Sequence, residues 1–486
     1  MTHKIGLSLA VIFSGSVLFA AQPSNAELLK RIEQLEAKLK TNGTDNATSK
    51  TRSVSVAVDH ADEDDDTAYG KIIIGGDYRF SVDNLNYDLA DGSTAKNDNV
   101  LTNRLWLTFS YRPNENLYFS TKLAFNKVFG QPVVYAPGGE APFDGFDWIA
   151  STTNTDDEFR VKNAYIDYKD DNLFGAPVPW DFGVGRRPTS YTKLLSLRDD
   201  MAPSSPLGHV VSAEFDGGHL GFDLDKITGI PGMRIKFAAG RGASYVMPTL
   251  SATPDAEWGE NIDMYDVNFV FFSDEHWHSE LQAMYITNLI DIANAGYDAQ
   301  GNFNPANFNP AFDTVGDMYL GAFMVSYDAD ASWNYTKLFA SVGLSQTDPD
   351  AGKAMLGSTE EKTGNSIWVG MQTRLLGGKF GLEYNHGSKY WRSFTYGEDT
   401  LAGSKIATRG DAYEAYYTYE IMKGFSCQVR YTYMDYDYTG SNGFFGSQTG
   451  TPMDIDMIKA YMANADIAKA VVDKAQDLRF YLRYRF

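Results

Sequence analysis

The chain has 486 residues, of which 43% are hydrophobic, 22% are charged and 14% are aromatic, and its formal net charge is −21. This acidic balance argues against nucleic acid as a partner and against a polybasic membrane-binding patch. The single cysteine, Cys427, excludes an internal disulfide and a zinc site built from cysteines.

Residues 1–26 have the features of a signal peptide for export. His3 and Lys4 give a short positive start, residues 5–20 form an apolar run, and residues 24–26 are the small residues that a signal peptidase requires. A retained anchor helix is the alternative, but the apolar run is short and the cleavage site follows it at once. No later stretch approaches the roughly 18 consecutive apolar residues of a spanning helix. A periplasmic, a secreted and an outer-membrane protein remain possible.

Residues 27–40 predict a short coiled-coil helix. Its apolar residues are spaced four, three and four apart, which gives a seam of two heptads: Leu28, Ile32, Leu35 and Leu39. Two heptads are too short to fold alone in water, so other copies of the chain are expected to hold these helices together. The pattern predicts a homotrimer and leaves a dimer open. An amphipathic helix packed on its own domain is the alternative.

Residues 41–70 form an acidic, polar segment that includes the run DHADEDDD. Such a composition predicts a flexible, solvated linker. Association with calcium or magnesium is the alternative, although the spacing of the acidic residues does not favour it.

From residue 71 onward, apolar and polar residues alternate in segments of about ten residues, a pattern typical of transmembrane barrels. In residues 100–112, for example, Leu105 and Phe109 share one face and Arg104 lies on the other. The predicted strands are 71–83, 100–112, 117–128, 158–169, 180–187, 208–226, 231–241, 262–273, 276–288, 316–327, 333–346, 363–374, 378–388, 411–421, 424–438 and 477–486.

The connections between these segments alternate in length, as in outer-membrane barrels, which have short periplasmic turns and long external loops. The short ones are 113–116, 274–275, 328–332 and 375–377, and the long ones are 129–157, 289–315, 347–362 and 389–410. A soluble β-sandwich has no reason to keep this alternation. The sequence therefore predicts an all-β fold: a closed antiparallel transmembrane barrel of about 16 strands over residues 71–486, with both termini periplasmic.

The last residues, LRFYLRYRF, present one apolar face and end on Phe486. We interpret them as the closing strand, whose apolar face contacts lipid. The terminal aromatic residue also resembles the C-terminal signal that the outer-membrane assembly machinery reads. A strand of a soluble core is the alternative.

A barrel of this size encloses water unless a loop enters it. Strand parity sends six cations from five adjoining strands into the interior, where they are predicted to form a basic channel wall: Arg79, Arg104, Lys122, Arg430, Arg479 and Arg483. A polar interior of random charge is the alternative.

The connection 188–207 is the third external loop in chain order. In general porins with 16 strands this loop folds inward and narrows the pore. By that resemblance, Asp199 and Asp200 would face the basic wall, and Arg186 and Arg187 would lie at the base of the loop. Opposed charges across a narrow lumen would orient dipolar solutes. An ordinary external loop is the alternative.

Two groups of residues suggest other chemistry. His276 and His278, with nearby carboxylates, form a candidate zinc site beside a short turn, although water-facing turn residues explain them equally well. His386 and Ser388 share one face, but a lipase-like enzyme would need them on the lipid side, and parity assigns them to the lumen. We therefore predict neither an enzyme nor a cofactor.

Several motifs resemble a family of porin-like outer-membrane proteins of Gram-negative bacteria that is catalogued as a domain of unknown function. These motifs are GRRP at 185–188, LRDD at 197–200, SPLGHVVSAEFDG at 205–217, ITGIPG at 227–232, GRG at 240–242, LEYNHGSKYW at 382–391, RGDAYEAYY at 409–417 and YMDYDYTGS at 433–441. The resemblance implies an outer-membrane location and a porin-like channel, and it names no solute. The helical stretch 451–476 lies outside these motifs, so a plugged or gated mouth is also possible.

We therefore predict a trimeric porin, in contact with the lipid bilayer and lipopolysaccharide, that lets small hydrophilic solutes or ions diffuse across the outer membrane. A closed structural barrel that anchors a periplasmic partner, such as a redox protein or the cell wall, is the second hypothesis. A lipase-like enzyme is the third.

Overall fold

The computed structural model describes residues 69–129, 159–243, 260–298, 300–395 and 400–486, together with the backbone of Ser55–Val58. The signal peptide, the coiled-coil seam and most of the acidic linker lie outside these residues, as does the external connection that follows residue 129. Within the described ranges, no helix is long and apolar enough to cross a membrane.

Sixteen antiparallel strands pair with their neighbours in chain order, and the first pairs with the last. They are β1 (Lys71–Leu89), β2 (Thr94–Tyr111), β3 (Leu117–Val128), β4 (Arg160–Asp170), β5 (Trp180–Arg187), β6 (Phe215–Asp223), β7 (Arg234–Ala243), β8 (Ile262–Ser273), β9 (Trp277–Tyr297), β10 (Phe303–Asp328), β11 (Lys337–Pro349), β12 (Thr363–Leu375), β13 (Gly378–Gly387), β14 (Gly410–Met422), β15 (Phe425–Tyr436) and β16 (Val472–Arg485). This arrangement confirms the predicted closed all-β barrel and its strand number.

The two ends of the barrel chain meet at a seam between β1 and β16. Tyr78 lies opposite Tyr484, and Gly76 exchanges backbone hydrogen bonds of 2.8 and 3.0 Å with Phe486. The ring of Phe486 lies directly over Gly76, where a Cβ atom would collide with it. The short strand Ser55–Val58 adds a parallel pairing beside Lys71–Ile74.

Shorter elements lie in the connections between the barrel strands. Two-residue strands pair in parallel inside the barrel: Thr192–Lys193 with part of Ser204–Leu207, and Val211–Ser212 with Phe394–Thr395. The short helices are Leu195–Arg198, Asp225–Thr228 and Ile455–Tyr461, and the 3-10 turns are Ala331–Trp333 and Asp466–Lys469.

The period-two pattern separates an outer face from an inner face, as the closing strand illustrates. Leu478 and Phe480 are 47% and 41% exposed on the outside of the barrel, whereas Arg479 between them is buried. Alternate residues of a strand point to opposite faces, so the apolar set covers the outside and the arginines enter the interior.

Two sequence predictions about the connections were wrong. Residues 208–214 were expected to begin a long strand, but β6 starts at Phe215 and they belong to the preceding connection. Residues 289–315 were expected to be a loop, but β9 and β10 extend through most of them and form a long hairpin.

The apolar core lies inside the barrel. Inward side chains of β8–β12 form one buried cluster with residues of four connections, among them Met355, and this cluster includes Met284, Met318 and Trp368 of the wall. The connections supply Leu195, Leu207, Val210, Val211, Phe394, Ile406, Phe444 and Phe445. One side of the lumen is therefore filled by protein rather than by water.

Candidate functional site

The connection between β5 and β6, residues 188–214, enters the barrel interior; we refer to it as the inward segment. Lys193 forms an ion pair with Glu280 of β9. Further along, Arg198 Nη1 lies 3.3 Å from an oxygen of Glu414 on β14. Arg483 of β16 donates a hydrogen bond to the backbone carbonyl of Asp199. Because these partners come from well-separated parts of the wall, the segment crosses the lumen.

The far end of the inward segment is held by a buried histidine. His209 is completely buried, and its Nδ1 and Nε2 lie 2.7 and 2.9 Å from the hydroxyl oxygens of Ser341 and Ser366. Ser366 donates its own proton to Asn385, so Nε2 of the imidazole donates to Ser366 and Nδ1 accepts from Ser341. The ring also meets Trp391 edge to face at 5.3 Å between centroids.

Burial lowers the pKa of His209 to about 3, because no charged partner offsets the loss of water around its imidazolium form. No ion pair to its ring is found in the described part of the chain. The histidine therefore holds this end of the segment in the neutral form at physiological pH.

The predicted basic wall lies on adjoining strands, and most of it is buried. Arg79 of β1 is in register with Arg104 of β2 and with Arg483 of β16, while Arg430 of β15 pairs with Arg479 of β16. These five side chains are at most 3% exposed. Together they form a buried seam on one side of the lumen.

Carboxylates on the same inner faces compensate the charge of the arginine seam. Asp77 accepts hydrogen bonds from both Arg104 and Arg483. Asp83 pairs with Arg479 across the β1–β16 seam. The seam is thus a ladder of alternating charges rather than a uniformly basic patch.

Glu414 is the most heavily shared carboxylate of the interior. It pairs with Lys405 from the connection 388–409 and with Arg198 of the inward segment. It also accepts a hydrogen bond of 2.9 Å from Thr432, and its Oε2 lies 3.9 Å from Nε of Arg430. One buried carboxylate therefore joins two loops to the wall.

Lys122 of the predicted wall lies beside the other cations but is only partly buried. Its Nζ lies 5.1 Å from the ring centroid of Trp106, and the guanidinium of Arg104 lies 3.7 Å from the same ring. Both cations can interact with the face of this aromatic ring.

The four charged residues predicted around the constriction divide into two groups. Arg186 and Arg187 contact aspartates of neighbouring strands, Asp216 and Asp167, at 3.3 and 2.6 Å. Asp199 and Asp200 lie on the inward segment, where Asp199 contacts Arg198.

Asp200 lies where the inward segment meets the end of β16. It forms an ion pair with Lys379, and its carboxylate lies 3.5 Å from Arg485. Burial opposes the charge of Asp200, but the hydrogen bond and charge of Lys379, assisted by Arg485, hold the pKa of its carboxyl below the usual value. Asp200 is therefore ionised at neutral pH.

A cavity of about 760 Å³ lies between the inward segment and strands β10–β13, at the barrel end that carries the short turns. Its charged lining includes Lys193, Asp200, Lys337, Arg374 and Lys379. The guanidinium of Arg374 lies 4.1 Å from the ring centroid of Tyr335. This vestibule is large enough for a small hydrated solute.

The candidate zinc ligands make separate contacts. Nδ1 of His276 donates to the backbone carbonyl of Asp328 at 2.8 Å, whereas Nε2 of His278 lies 2.8 Å from Glu280. The residues that the structure describes contain no group of three or more histidine, cysteine, aspartate or glutamate side chains arranged around one point. The geometry therefore gives the zinc hypothesis no support.

His386 does not face the lumen as expected. Its Nδ1 lies 2.9 Å from Asp411, its register partner on β14, and Asp411 also accepts from the hydroxyl of Tyr384. His386 shares the parity of Leu382, which is exposed on the outer face. Consistent use of the β13 alternation would have placed it outside.

The chain matches the model of a family described as "Protein of unknown function (DUF3373)" over residues 94–486. The chain belongs to the DUF3373 family. The match begins at β2 and extends to the last residue, so it covers nearly the whole barrel. A search of curated protein sequences gives no match to this DUF3373 protein.

Solved structures of two porins and of a further outer-membrane protein are similar to the DUF3373 barrel at low sequence identity. An anion-selective porin from Comamonas acidovorans is 11% identical over 85% of this chain and 99% of its own, with a TM-score of 0.47. OmpF from Salmonella typhi is 12% identical over 85% and 97%, with a TM-score of 0.43. OmpT of Vibrio cholerae is 12% identical over 85% and 99%, with a TM-score of 0.41.

Proposed function

We propose that this DUF3373 protein is an outer-membrane channel through which small hydrophilic solutes or ions diffuse, with the inward segment as its constriction. The observation that carries the proposal is that Lys193, Arg198 and Asp200 fix this segment to the barrel wall through ion pairs. The wall therefore presents ionised groups to the lumen. A pore lined by charged side chains favours the passage of charged or polar solutes.

The same interactions indicate a gated channel. The arginine seam is buried, so solutes reach it only when the inward segment or an external connection moves. The vestibule lies on the side of the short turns, which outer-membrane barrels direct to the periplasm. The proposal makes both ends of the barrel chain periplasmic and assigns Phe486 the role of assembly signal.

Planar-bilayer recording of a shortened variant tests the channel. Lys193 and Leu207 are register partners, so a three-glycine link can replace residues 194–206. Removing this part of the constriction is expected to raise single-channel conductance several-fold. The matched control shortens the largely exposed turn between β6 and β7, residues 225–232, to an Asn-Gly turn and should leave conductance unchanged.

A second function, a closed barrel that anchors a periplasmic partner, is favoured by the apolar cluster inside the lumen. Conductance in planar bilayers distinguishes the channel from the closed scaffold. If both the native protein and the shortened variant remain electrically silent while folded, the scaffold is supported and the channel is rejected. We propose no enzymatic reaction and no cofactor for either function.

We also propose that the protein is a homotrimer embedded in lipid and lipopolysaccharide, held in part by the coiled-coil segment 27–40. Deleting residues 27–40 is expected to convert trimers to monomers after extraction in mild detergent. Native mass measurement checks this result, and an unchanged mass would show that the segment does not hold the copies together.

A further inference from the structure

The most unusual group in the interior is the guanidinium of Arg430. It is 1% exposed, and none of its three nitrogen atoms has a hydrogen-bond partner among the described residues. Its closest acidic neighbour is Glu414, with Nε and Oε2 3.9 Å apart, which is beyond hydrogen-bonding distance. A buried guanidinium carries five N–H groups that require acceptors, so the described protein atoms alone leave it unsatisfied.

A carboxylate in the opposite situation lies on the next strand. Asp477 of β16 is 1% exposed, and neither of its oxygen atoms accepts a hydrogen bond from the described part of the chain. Thr432 is the register partner of Asp477, and Arg430 is that of Arg479. Arg430 and Asp477 are therefore diagonal neighbours on the inner face, at positions whose Cα atoms are roughly 7–8 Å apart.

The surrounding charged groups already have partners. Arg479 donates to Asp83, and Glu414 accepts from Lys405 and Thr432. The pair thus presents unused donors and unused acceptors within one buried compartment.

Charged groups of both signs surround Arg430 and Asp477. Lys405 pairs with Glu383 and Glu414, and Arg479 pairs with Asp83. A solute with one positive and one negative group would satisfy both open positions.

We infer that Arg430 and Asp477 form a binding site for a small zwitterionic solute of the amino-acid type. The carboxylate of the solute accepts hydrogen bonds from Arg430, and its ammonium group donates to Asp477. The inference rests on the proposed channel, because the lumen is the route by which the solute arrives.

Connections cover the compartment on both sides. Toward the external connections, Ala475 and Met434 pack in an apolar cluster with Ile455 and Ile458 of the last connection. Toward the other end, Gln428 donates to the backbone of Arg198 on the inward segment. A solute bound to Arg430 and Asp477 is therefore enclosed until one of these connections moves.

Calorimetric titration of the detergent-solubilised protein with glycine tests the site. Glycine is expected to bind at least tenfold more tightly than acetate or methylamine, because each of these probes carries only one of the two charged groups. Arg430→Gln and Asp477→Asn should each weaken glycine binding tenfold or more, since each removes charge-assisted hydrogen bonds. The matched control, Arg241→Gln at the exposed end of β7, should leave the affinity unchanged.

Other results would overturn the inference. Equal affinity for glycine and acetate, with no effect of Asp477→Asn, would show a site for anions only. No binding of any probe by a folded barrel would show that water fills the compartment. Arg430→Lys, which keeps the charge, reports on folding if Arg430→Gln fails to assemble. Glycine binding without conductance would reject the proposed channel and support the binding site. Conductance without glycine binding would support the channel and reject the binding site.

Discussion

Replacing Glu414 by alanine is expected to lower the free energy of unfolding of the barrel by about 3–5 kcal/mol, the usual cost of leaving buried charges without their partner. Glu414 is 3% exposed and pairs with Arg198 and Lys405, with Arg430 nearby. Its removal leaves the buried Arg430 without its nearest carboxylate and leaves Lys405 and Arg198 with one carboxylate each, Glu383 and Asp199. Urea unfolding in detergent micelles, followed by far-ultraviolet circular dichroism, measures the loss.

Two variants of the same strand are the controls for this prediction. Glu414→Gln keeps the shape and one acceptor, so it should cost less than Glu414→Ala. Glu420 is exposed near the end of β14, and Glu420→Ala should stay within about 0.5 kcal/mol of the native protein. If Glu414→Ala also stays within that range, the ion pairs of Glu414 do not stabilise the fold.

Strand number was predictable because the two sides of a barrel wall impose a period of two on every spanning segment. In β16, the apolar residues from Leu478 to Phe486 lie on the outer parity, and arginines occupy the inner one. The physical requirement is repeated sixteen times, so an error at one boundary does not change the count.

The inward segment was only partly predictable. An apolar side chain suits the lipid outside the barrel and the protein core inside it equally well, so the sequence does not distinguish the two. Val210 and Val211 were assigned to a strand of the barrel wall, but they belong to the inward segment and pack inside the barrel against Phe394 and its neighbours. Residues 302–311 were assigned to a loop because they are rich in Asn and Pro and lack an alternating apolar face. They belong mainly to a hairpin that extends beyond the region where alternation is required.

The charged interior shows what parity can and cannot supply. The same alternation that placed Arg79 and Arg479 in the lumen also places Asp83 and Asp477 there, so these carboxylates could have been found from the sequence. Glu414 pairs with Arg198, 216 residues away in sequence. Contacts of this kind depend on how a loop folds back, and strand periodicity contains no information about that path.

Lowering the pH from 7 to 5 is expected to shift the equilibrium between the seated and the released His209 end of the inward segment toward release by about 25-fold. His209 is neutral when seated, with its pKa lowered to about 3 by burial, and regains its ordinary value near 6.5 when water reaches it. The seated His209 end therefore has its full stability above pH 6.5. It loses about 1.4 kcal/mol for each pH unit below that value, until the pH approaches 3.

Hydrogen exchange of the backbone amides of residues 205–212 measures this release, and bilayer conductance should rise over the same pH range. The groups that face His209 are the hydroxyls of Ser341 and Ser366 and the rings of Trp368 and Trp391, and none of them titrates in this range. His209→Gln should therefore abolish the response. His386→Gln removes a histidine from the outer face instead and should retain it.

Protection of residues 205–212 that does not change between pH 7 and pH 5 in the native protein would reject His209 as the group that holds the segment. A response that persists in His209→Gln would assign the pH dependence to another group. His209 and Arg198 lie on the same inward segment. Release of the His209 end at low pH is therefore expected to weaken the contacts that Arg198 makes with the wall. Protonation of one imidazole would thereby open the route to Arg430.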